Sequence, residues 1–447
     1  MAPAVTAEVP NDGLTRTARA VCLGLVRLFY REIAVSGLDN LPKDGAVILV
    51  ANHPNGLLDP VVLRLAVGRP VGFLAKSTLF GNPFGRLALD AFAGLPVFRP
   101  RDGADTSHNE RTFDLARQRL ASGCWLALFP EGTSHSDPAM RPLKTGAARL
   151  ALSYVEGYPG LPLYLVPCGL LYEAKETFRS RVAVQIGEPT GVGPFVTRHG
   201  VDFDAARQLT HELNHDLSQV VLQADDQTLL RGFVAVAGWV HQGAARDLAA
   251  QQALAQQLAA AWRSLLDREP ERAHALQSQA VAFAAQLSEL GIDDPWQVDA
   301  ALPAPGAVAR GSMGLMALLP FAVLGTLLGW PAYRAIRPLS VVIAGTETDL
   351  VGTVKVLLGL VGMPAYWGAQ AWLAGALFGW PMALAVAAAG PLTGWMALRW
   401  SERWQRRRQV LRLAWLRGVR AEVAAEVRRH RDDLARAVMA VLDGAPT

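Results

Sequence analysis

One short stretch of this chain combines a histidine and a carboxylate at a spacing that suits acid–base chemistry. His53 follows the apolar run 46–51, and Asp59 lies six positions further along the chain. A neutral imidazole can take a proton from an alcohol near pH 7 when a carboxylate on its far ring nitrogen fixes its tautomer and orientation. Because most His–Asp pairs in a sequence are structural, this pair gains its weight from the segments that follow.

Cations follow a second apolar run. Arg99 and Arg101 come directly after residues 95–98, where they can leave the edge of a sheet and face a ligand. A guanidinium group suits phosphate because its donors fork onto two oxygens. Such a pair is ordinarily interpreted as two solvated surface arginines. Here the residues that follow the next strand favour contact with a ligand.

That next strand, residues 124–129, runs into a polar turn. Glu131, Gly132 and Thr133 form the turn, and Lys144 leads into a helix rich in small residues. A turn that combines glycine, hydroxyls, an acid and nearby cations can hold a polar headgroup by its hydroxyls and phosphate.

The elements that must position these residues alternate between short apolar runs and helical stretches from about residue 33 to residue 189, which predicts an α/β domain. The predicted strands are 46–51, 70–75, 95–98, 124–129, 162–167 and 181–186. The predicted helices begin near Pro60, Asn82, Asn109 and Thr145.

Four blocks in this region carry a family resemblance. They read NHPNGLLDP, GLPVFRP, FPEGTSHSDPAMRPLKTG and LVPCGL, in that order. Together they resemble the blocks of the glycerolipid acyltransferases with a PlsC-type domain, over roughly Ile33 to Thr190. The resemblance implies an α/β acyltransferase domain with a mixed central sheet flanked by helices.

The resemblance also implies roles for single residues. His53 matches the general base and Asp59 its orienting carboxylate. Arg99 matches the cation for the acceptor phosphate, which we expect Arg101 or Lys144 to assist. The remaining matched positions are Glu131 and Gly132, together with the neighbouring Thr133, for the acceptor or its turn, and Pro167 for acyl-chain or donor contacts.

The first block departs from the common form, since five residues instead of four separate His53 from Asp59. The branch that resembles fungal glycerol-3-phosphate/dihydroxyacetone-phosphate acyltransferases shares this longer spacing. We therefore expect acyl transfer from acyl-CoA or acyl-carrier protein to the sn-1 hydroxyl of glycerol 3-phosphate or dihydroxyacetone phosphate, without a metal or other cofactor. Transfer to lysophosphatidate is the nearest alternative, and a non-catalytic lipid-binding protein is the alternative from another class.

A third alternative comes from the letters HELNH. His211 and His215 lie four apart with Glu212 between them, which matches the HExxH pattern of a metalloprotease. The segment is charged and typical of an exposed helix, and a five-letter motif recurs by chance. We therefore predict no metal site.

The three cysteines form no spaced motif, so neither a disulfide framework nor a zinc site is expected.

The C-terminal third predicts membrane-embedded helices. Residues 311–333 and 356–398 hold no charged side chain, and about 20 apolar residues cross a bilayer core. The longer stretch predicts a hairpin that turns near Gly379. The charged segment between the two stretches, with Glu347, Asp349 and Lys355, is expected at the interface or in water.

A basic run follows the second stretch. Between Arg399 and Arg431 there are eleven arginines and three glutamates. Because the run adjoins an apolar segment, anionic lipid headgroups are its expected partner rather than nucleic acid. The arginines place this end on the cytoplasmic side of the cytoplasmic membrane, which the active domain then also faces.

The predicted organisation has five parts. The start of the chain lacks the features of a signal peptide. The basic amphipathic helix predicted over 14–35 lies on a bilayer or packs against the domain. The parts are a tail with this helix (1–32), the acyltransferase domain (33–200), a helical region (201–305), membrane-embedded helices (306–399) and a basic C-terminal helix (400–447).

Overall fold

The computed structural model describes residues 10–81, 83–99, 103, 105–242, 247–299, 305–345 and 350–443. The chain divides into two compact units. The first comprises residues within 1–234 and 246–259, and the second comprises residues within 235–245 and 260–447.

Strands occur in the first unit. They are β1 (Tyr30–Ser36), β2 (Ala46–Ala51), β3 (Val71–Lys76), β4 (Gly94–Val97), β5 (Trp125–Leu128), β6 (Leu163–Tyr172), β7 (Ser180–Ile186) and β8 (Thr190–Gly191). The helices up to residue 268 are α1 (Gly13–Phe29), α2 (Leu58–Val67), α3 (Pro83–Ala91), α4 (Asn109–Ala121), α5 (Gly146–Gly157), α6 (Val192–His199), α7 (Phe203–Ser218), α8 (Gln227–Val240) and α9 (Leu248–Arg268).

Within the described residues the strands form one mixed sheet. Its order is β1-β7-β6-β2-β5-β3-β4, and β8 pairs with β6. The central strand β2 is fully buried and runs parallel to both β5 and β6, whereas β7 pairs with β6 in the antiparallel sense. The carboxyl ends of β2, β5 and β6 therefore lie at one edge, where polar residues after each strand can meet.

The predicted α/β class with a mixed sheet and flanking helices is confirmed. Each of the six predicted strands is present with its start within one residue of the prediction, and β6 extends to Tyr172. Apolar runs of four to six residues bounded by glycine and proline were sufficient to locate them.

The helix predicted over 14–35 is wrong in its last turn and a half. α1 ends at Phe29, and Tyr30 begins β1, which runs parallel to β7 from Tyr30 to Ser36. Ile33 and Val35 favour a strand, and pairing with β7 outweighs the helical spacing of the preceding residues. The predicted domain boundary at residue 32 therefore falls inside a strand.

The second unit is helical. Its helices are α10 (Pro270–Leu290), α11 (Pro305–Ala344), α12 (Val351–Phe378), α13 (Trp380–Val419) and α14 (Ala421–Asp443). Three of its segments, Arg310–Ala344, Val351–Phe378 and Trp380–Val419, are long and apolar enough to cross a membrane. Trp372 and Trp380 each expose 74% of their surface, as expected of side chains that face lipid.

The predicted hairpin near Gly379 is present. Gly379 separates α12 from α13 with a φ of +87°, a conformation that glycine adopts readily, and Pro381 follows in the first turn of α13. Glu347 and Asp349, which were expected at the interface, lie outside the described residues.

The basic C-terminal helix differs from its prediction. Residues 400–419 continue α13 from the apolar part, and the helix breaks at Arg420 before α14 begins. Gly418, a poor helix former, lies just before the break. The first unit also extends past the predicted domain boundary at residue 200, since α6 and α7 pack against α5.

The exposed arginines of α13 generate a test of lipid binding. We expect replacement of Arg403, Arg406 and Arg408 by glutamine to weaken binding of phosphatidylglycerol by about 100-fold, because each arginine near an anionic surface contributes about 1 kcal/mol. Fluorescence anisotropy of a labelled lipid with the detergent-purified chain at low salt measures the dissociation constant.

A matched triple variant controls for net charge. Arg207, Arg268 and Arg272 are also exposed, but all three lie outside the basic run 399–431 and none of them adjoins a candidate membrane segment. Their replacement by glutamine should change lipid affinity by less than about threefold. Equal losses in the two triple variants would contradict a localised lipid-binding face.

Candidate active site

The strand ends at this edge of the sheet are joined by side-chain bonds. Asn52, the first residue after β2, accepts a hydrogen bond from the backbone N–H of Leu170 at 2.7 Å and donates one to its carbonyl at 3.1 Å. The amide of Asn52 thus continues the β2–β6 ladder beyond the last strand pair, and this fixes the start of the turn that carries the histidine.

His53 and Asp59 are in direct contact. Nδ1 of His53 lies 2.8 Å from Oδ2 of Asp59, whose side chain is fully buried, while the His53 side chain is 18% exposed. An ionised carboxylate accepts, so Nδ1 carries the proton and Nε2 is left as the basic nitrogen. The ring of Phe129 stacks on the imidazole at 4.0 Å and restricts its rotation. The predicted dyad is therefore assembled despite its longer spacing.

The carboxylate of Asp59 has further donors. The backbone N–H of Asn55 donates to Oδ2 at 2.8 Å, and the phenol of Tyr172, at the end of β6, donates to Oδ1 at 2.6 Å. Asp59 also lies in the first turn of α2, where the helix dipole favours negative charge. Burial, together with the negative charge of Asp59, raises the pKa of Tyr172 well above its usual range, so the phenol stays protonated.

Glu131 organises the turn after β5. Its side chain is buried, Oε1 accepts from the backbone N–H of His53 at 3.2 Å, and Oε2 accepts from the backbone N–H of Arg141 at 2.8 Å and from Nε2 of His135. The backbone N–H of Asp137 donates to Nδ1 of His135 at 3.2 Å, which is consistent with a proton on Nε2. The two carboxylate oxygens of Glu131 therefore hold two backbone segments in place, at His53 and at Arg141.

The predicted cations lie beside Gly132. Nη1 of Arg99 donates to the carbonyl of Gly132 at 3.1 Å, and the side chain of Lys144 passes over the same glycine. Gly132 has a φ of +74°, and a Cβ there would lie 2.6 Å from Nζ of Lys144. Thr133 follows in the same turn. Arg101 lies outside the described residues.

Pro167 lies in the middle of β6. It is buried opposite Val50 of β2, and its carbonyl accepts from the N–H of Gly187. The ring fills the space beside Gly187, where a Cβ would approach it to 2.8 Å. Its predicted role in acyl-chain or donor contacts stays a prediction.

A cavity of about 510 Å³ opens beside His53. Glu131 also lines it, whereas Arg99 and Lys144 are not among the described residues that do. Its polar wall includes Ser136 and Lys175; its apolar wall is made of Leu170, Leu171, Val221, Leu222 and Leu230. The imidazole therefore lines this cavity, whereas the two predicted cations lie beside Gly132 in the turn after β5.

The segment between α7 and α8, residues 219–226, forms part of the cavity wall; we call it the connector. The N–H of Ala224 donates to the carbonyl of Pro138 at 3.1 Å, and the side chain of Gln223 accepts from the N–H of Met140 at 3.0 Å. The backbone of Val220 packs on Gly169 of β6. The connector is thus bonded to the turn after β5.

The HELNH letters lie on α7. His211 and His215 are exposed on that helix, and the described residues contain no group of three or more histidine, cysteine or acidic side chains placed to hold a metal. The sequence prediction for this motif was an exposed helical face, and exposure of both histidines agrees with it.

Several residues of the site were not found from the sequence. Tyr30, Asn55, Tyr172, His135 and Lys175 belong to the hydrogen-bond network but were assigned no role. The available signals were the polar tip of Tyr172 at the end of an apolar strand and the extra residue in the His53–Asp59 spacing. Neither signal identifies a partner more than 100 residues away.

A family model matches the region that contains the dyad. Residues 32–170 match the family model described as Acyltransferase. Glycerol-3-phosphate O-acyltransferase 1 of Saccharomyces cerevisiae is 26% identical over 292 residues, which cover 45% of this chain and 38% of the yeast protein. The chain therefore spans less than half the length of this curated relative.

The chain is also similar to proteins that are named for a different acceptor, 1-acyl-sn-glycerol 3-phosphate. The chloroplastic 1-acyl-sn-glycerol-3-phosphate acyltransferase BAT2 of Brassica napus is 29% identical over 142 residues, which cover 32% of this chain and 39% of that protein. The crystal structure of the 1-acyl-sn-glycerophosphate (LPA) acyltransferase PlsC from Thermotoga maritima is 23% identical and covers 44% of this chain and 76% of that chain, with a TM-score of 0.32.

The close approach of the connector to β6 generates a test of the cavity wall. A Cβ at Gly169 would lie 1.8 Å from the carbonyl oxygen of Val220, which is backbone and must move. We expect Gly169→Ala to lower the free energy of unfolding by about 2 kcal/mol, as overpacking does elsewhere. Thermal melting of the purified chain measures the change.

Gly157→Ala is the matched control, since a Cβ at Gly157 meets nothing within 4 Å. This variant should stay within about 0.5 kcal/mol of the original chain. If the two alanine variants melt together, the connector does not pack against β6 as described.

Proposed function

We propose that the chain, whose residues 32–170 match the Acyltransferase family model, transfers a fatty acyl group from an acyl thioester to the sn-1 hydroxyl of glycerol 3-phosphate or of dihydroxyacetone phosphate. The observation that carries this proposal is the pair His53–Asp59, with Nδ1 held by a buried carboxylate and the imidazole at the wall of a cavity. Such a pair is suited to removing a proton from an alcohol.

The reaction balances without a further reagent. Nε2 of His53 takes the hydroxyl proton as the oxygen attacks the thioester carbonyl, and Asp59 stabilises the imidazolium that forms. The tetrahedral intermediate collapses with cleavage of the C–S bond, and the imidazolium returns its proton to the departing thiolate. The ester and the free thiol leave, and His53 is again neutral.

Phosphate on the acceptor is assigned to the cations beside Gly132. Arg99 and Lys144 both lie next to this glycine, at the edge of the sheet that carries His53. A guanidinium and an ammonium group together suit a phosphate dianion. The two carboxylate oxygens of Glu131 accept hydrogen bonds from backbone N–H groups and from His135. We therefore assign Glu131 to holding this turn in place and not to binding the glycerol.

The acceptor distinguishes the two enzymatic candidates. The longer His–Asp spacing and the match to the yeast protein, named for glycerol 3-phosphate, favour the sn-1 hydroxyl. The match to the plant protein, named for 1-acyl-sn-glycerol 3-phosphate, supports the same chemistry on lysophosphatidate. The donor is acyl-CoA or acyl-carrier protein, and neither candidate calls for a metal.

Membrane attachment suits an amphiphilic product. Three apolar helices long enough to span a bilayer and the arginines of α13 support a place in the cytoplasmic membrane, with the acyltransferase domain on the cytoplasmic side. The product then enters the leaflet beside which it is made.

Loss of the base tests the proposal. We expect thioester consumption by the detergent-purified chain with glycerol 3-phosphate or dihydroxyacetone phosphate, and a fall in kcat of about 10²–10⁴-fold in His53→Ala. His211→Ala, an exposed histidine of the HELNH segment, is the control and should leave turnover unchanged.

The acceptors are offered separately so that each outcome is informative. Turnover only with lysophosphatidate would replace the sn-1 assignment by the sn-2 one and keep the mechanism. Rates equal to those of His53→Ala on all acceptors would overturn the acyltransferase proposal and favour a lipid-binding role.

The phosphate assignment has its own variant. We expect Arg99→Ala to raise the KM for glycerol 3-phosphate at least tenfold, because a charge-assisted contact to phosphate is lost, with the KM for the thioester within about twofold. Initial rates over both substrate concentrations measure the two constants. Arg117→Ala on α4, which removes a half-buried ion-pair partner of Asp114, should change neither constant; a rise in the thioester KM with Arg99→Ala would assign that residue to the donor instead.

A further inference from the structure

The carboxylate of Asp59 is fully buried, and three protein groups hold its orientation. Oδ2 accepts from His53 Nδ1 and from the N–H of Asn55, both at 2.8 Å, and Oδ1 accepts from the phenol of Tyr172 at 2.6 Å. A buried carboxylate is stable only when its oxygens are bonded in this way. Without the bond to Oδ1, the carboxylate can rotate about its Cβ–Cγ axis.

We propose that Tyr172 is a positioning residue for the reaction, which fixes the rotation of the Asp59 carboxylate so that Oδ2 stays on Nδ1 of His53, and that Tyr30 and Asn55 support it. This inference rests on the proposed function for its effect on turnover. Tyr172 acts through Asp59 and His53, and it therefore differs in kind from the base itself.

The turn between His53 and Asp59 contributes a further residue to this network. Asn55 is fully buried; its backbone N–H binds Asp59, and its side-chain Nδ2 donates to the phenol oxygen of Tyr30 at 2.6 Å. Gly56 follows with a φ of +50°, which lets the turn bring α2 back under the imidazole. The turn between the two residues of the dyad thus supplies a side chain and a backbone N–H that hold it.

Tyr30 connects the turn to the loop after β6. Its phenol donates to the carbonyl of Lys175 at 2.9 Å, and the ammonium group of Lys175 donates to the carbonyl of Pro54 at 2.6 Å. The rings of Tyr30 and Tyr172 lie 5.4 Å apart. The turn that carries His53 is therefore held by residues from β1, from the end of β6 and from the loop that follows β6.

Both phenols keep their protons. Burial and the charge of Asp59 raise the pKa of Tyr30 and of Tyr172 far above the ordinary value for tyrosine. A phenolate at Tyr172 would repel the carboxylate, so a permanently protonated phenol is the form that this position requires.

Tyr172→Phe tests the proposal, since it removes one hydroxyl and keeps the ring. We expect kcat to fall about tenfold, as when one hydrogen bond to a charged group is lost, with the KM of both substrates within about twofold. Tyr154→Phe is the matched control, because Tyr154 is also buried in this unit but lies on α5; its kcat should be unchanged.

A second readout does not need turnover. Without the phenol, the carboxylate of Asp59 can rotate away from Nδ1 and then stabilises the imidazolium less. We therefore expect the titration midpoint of His53, followed by NMR of ¹⁵N-histidine-labelled protein, to move to lower pH, and the acidic limb of the rate profile to move with it. A purely structural tyrosine would lower the melting temperature without moving this midpoint.

A double-mutant cycle separates coupling from general damage. In the Asp59→Asn background, Tyr172→Phe should change kcat by less than about twofold, because the partner charge is already gone. A full tenfold loss in that background, or an unmoved His53 midpoint in the single variant, would overturn the proposal. Silence of the wild-type chain on every acceptor would overturn the proposed function, and the NMR midpoint would still decide whether Tyr172 controls the dyad.

Discussion

The architecture of the first unit is built around one buried negative charge. Asp59 is removed from water, so each oxygen of its carboxylate must find a donor in the protein. Those donors come from the turn after β2 and from the carboxyl end of β6. Because β6 lies beside β2 in the sheet, the order of the strands brings the phenol of Tyr172 to this carboxylate. The sheet is therefore part of the chemistry and not only its support.

Much of the fold and part of the site could be predicted from the sequence for local reasons. Apolar runs locate buried strands, and the His53–Asp59 pair needs only one turn and the start of one helix. The strand β1 was missed because its pairing with β7, about 150 residues away, outweighs the helical spacing that the local sequence shows. Tyr172 was missed because its partner Asp59 is 113 positions earlier.

Glu131 shows a different limit. The sequence correctly places it in a polar turn, and the resemblance assigns it to the acceptor, but residue type does not tell whether a carboxylate faces a ligand or backbone. Its bonds to the N–H groups of His53 and Arg141 join two turns. In the second unit, length and absence of charge were enough to locate the apolar helices, whereas the break at Arg420 depended on local backbone geometry that composition does not encode.

The connector has a consequence for how substrate preference can diverge among such proteins. It lies at residues 219–226, beyond the matched region 32–170, yet Val221 and Leu222 line the same cavity as His53. Mutations there can change the volume of this cavity while leaving His53 and Asp59 in place. Selection can thus change which substrate the cavity accepts without changing His53 or Asp59. Two chains with the same four sequence blocks therefore need not share a substrate.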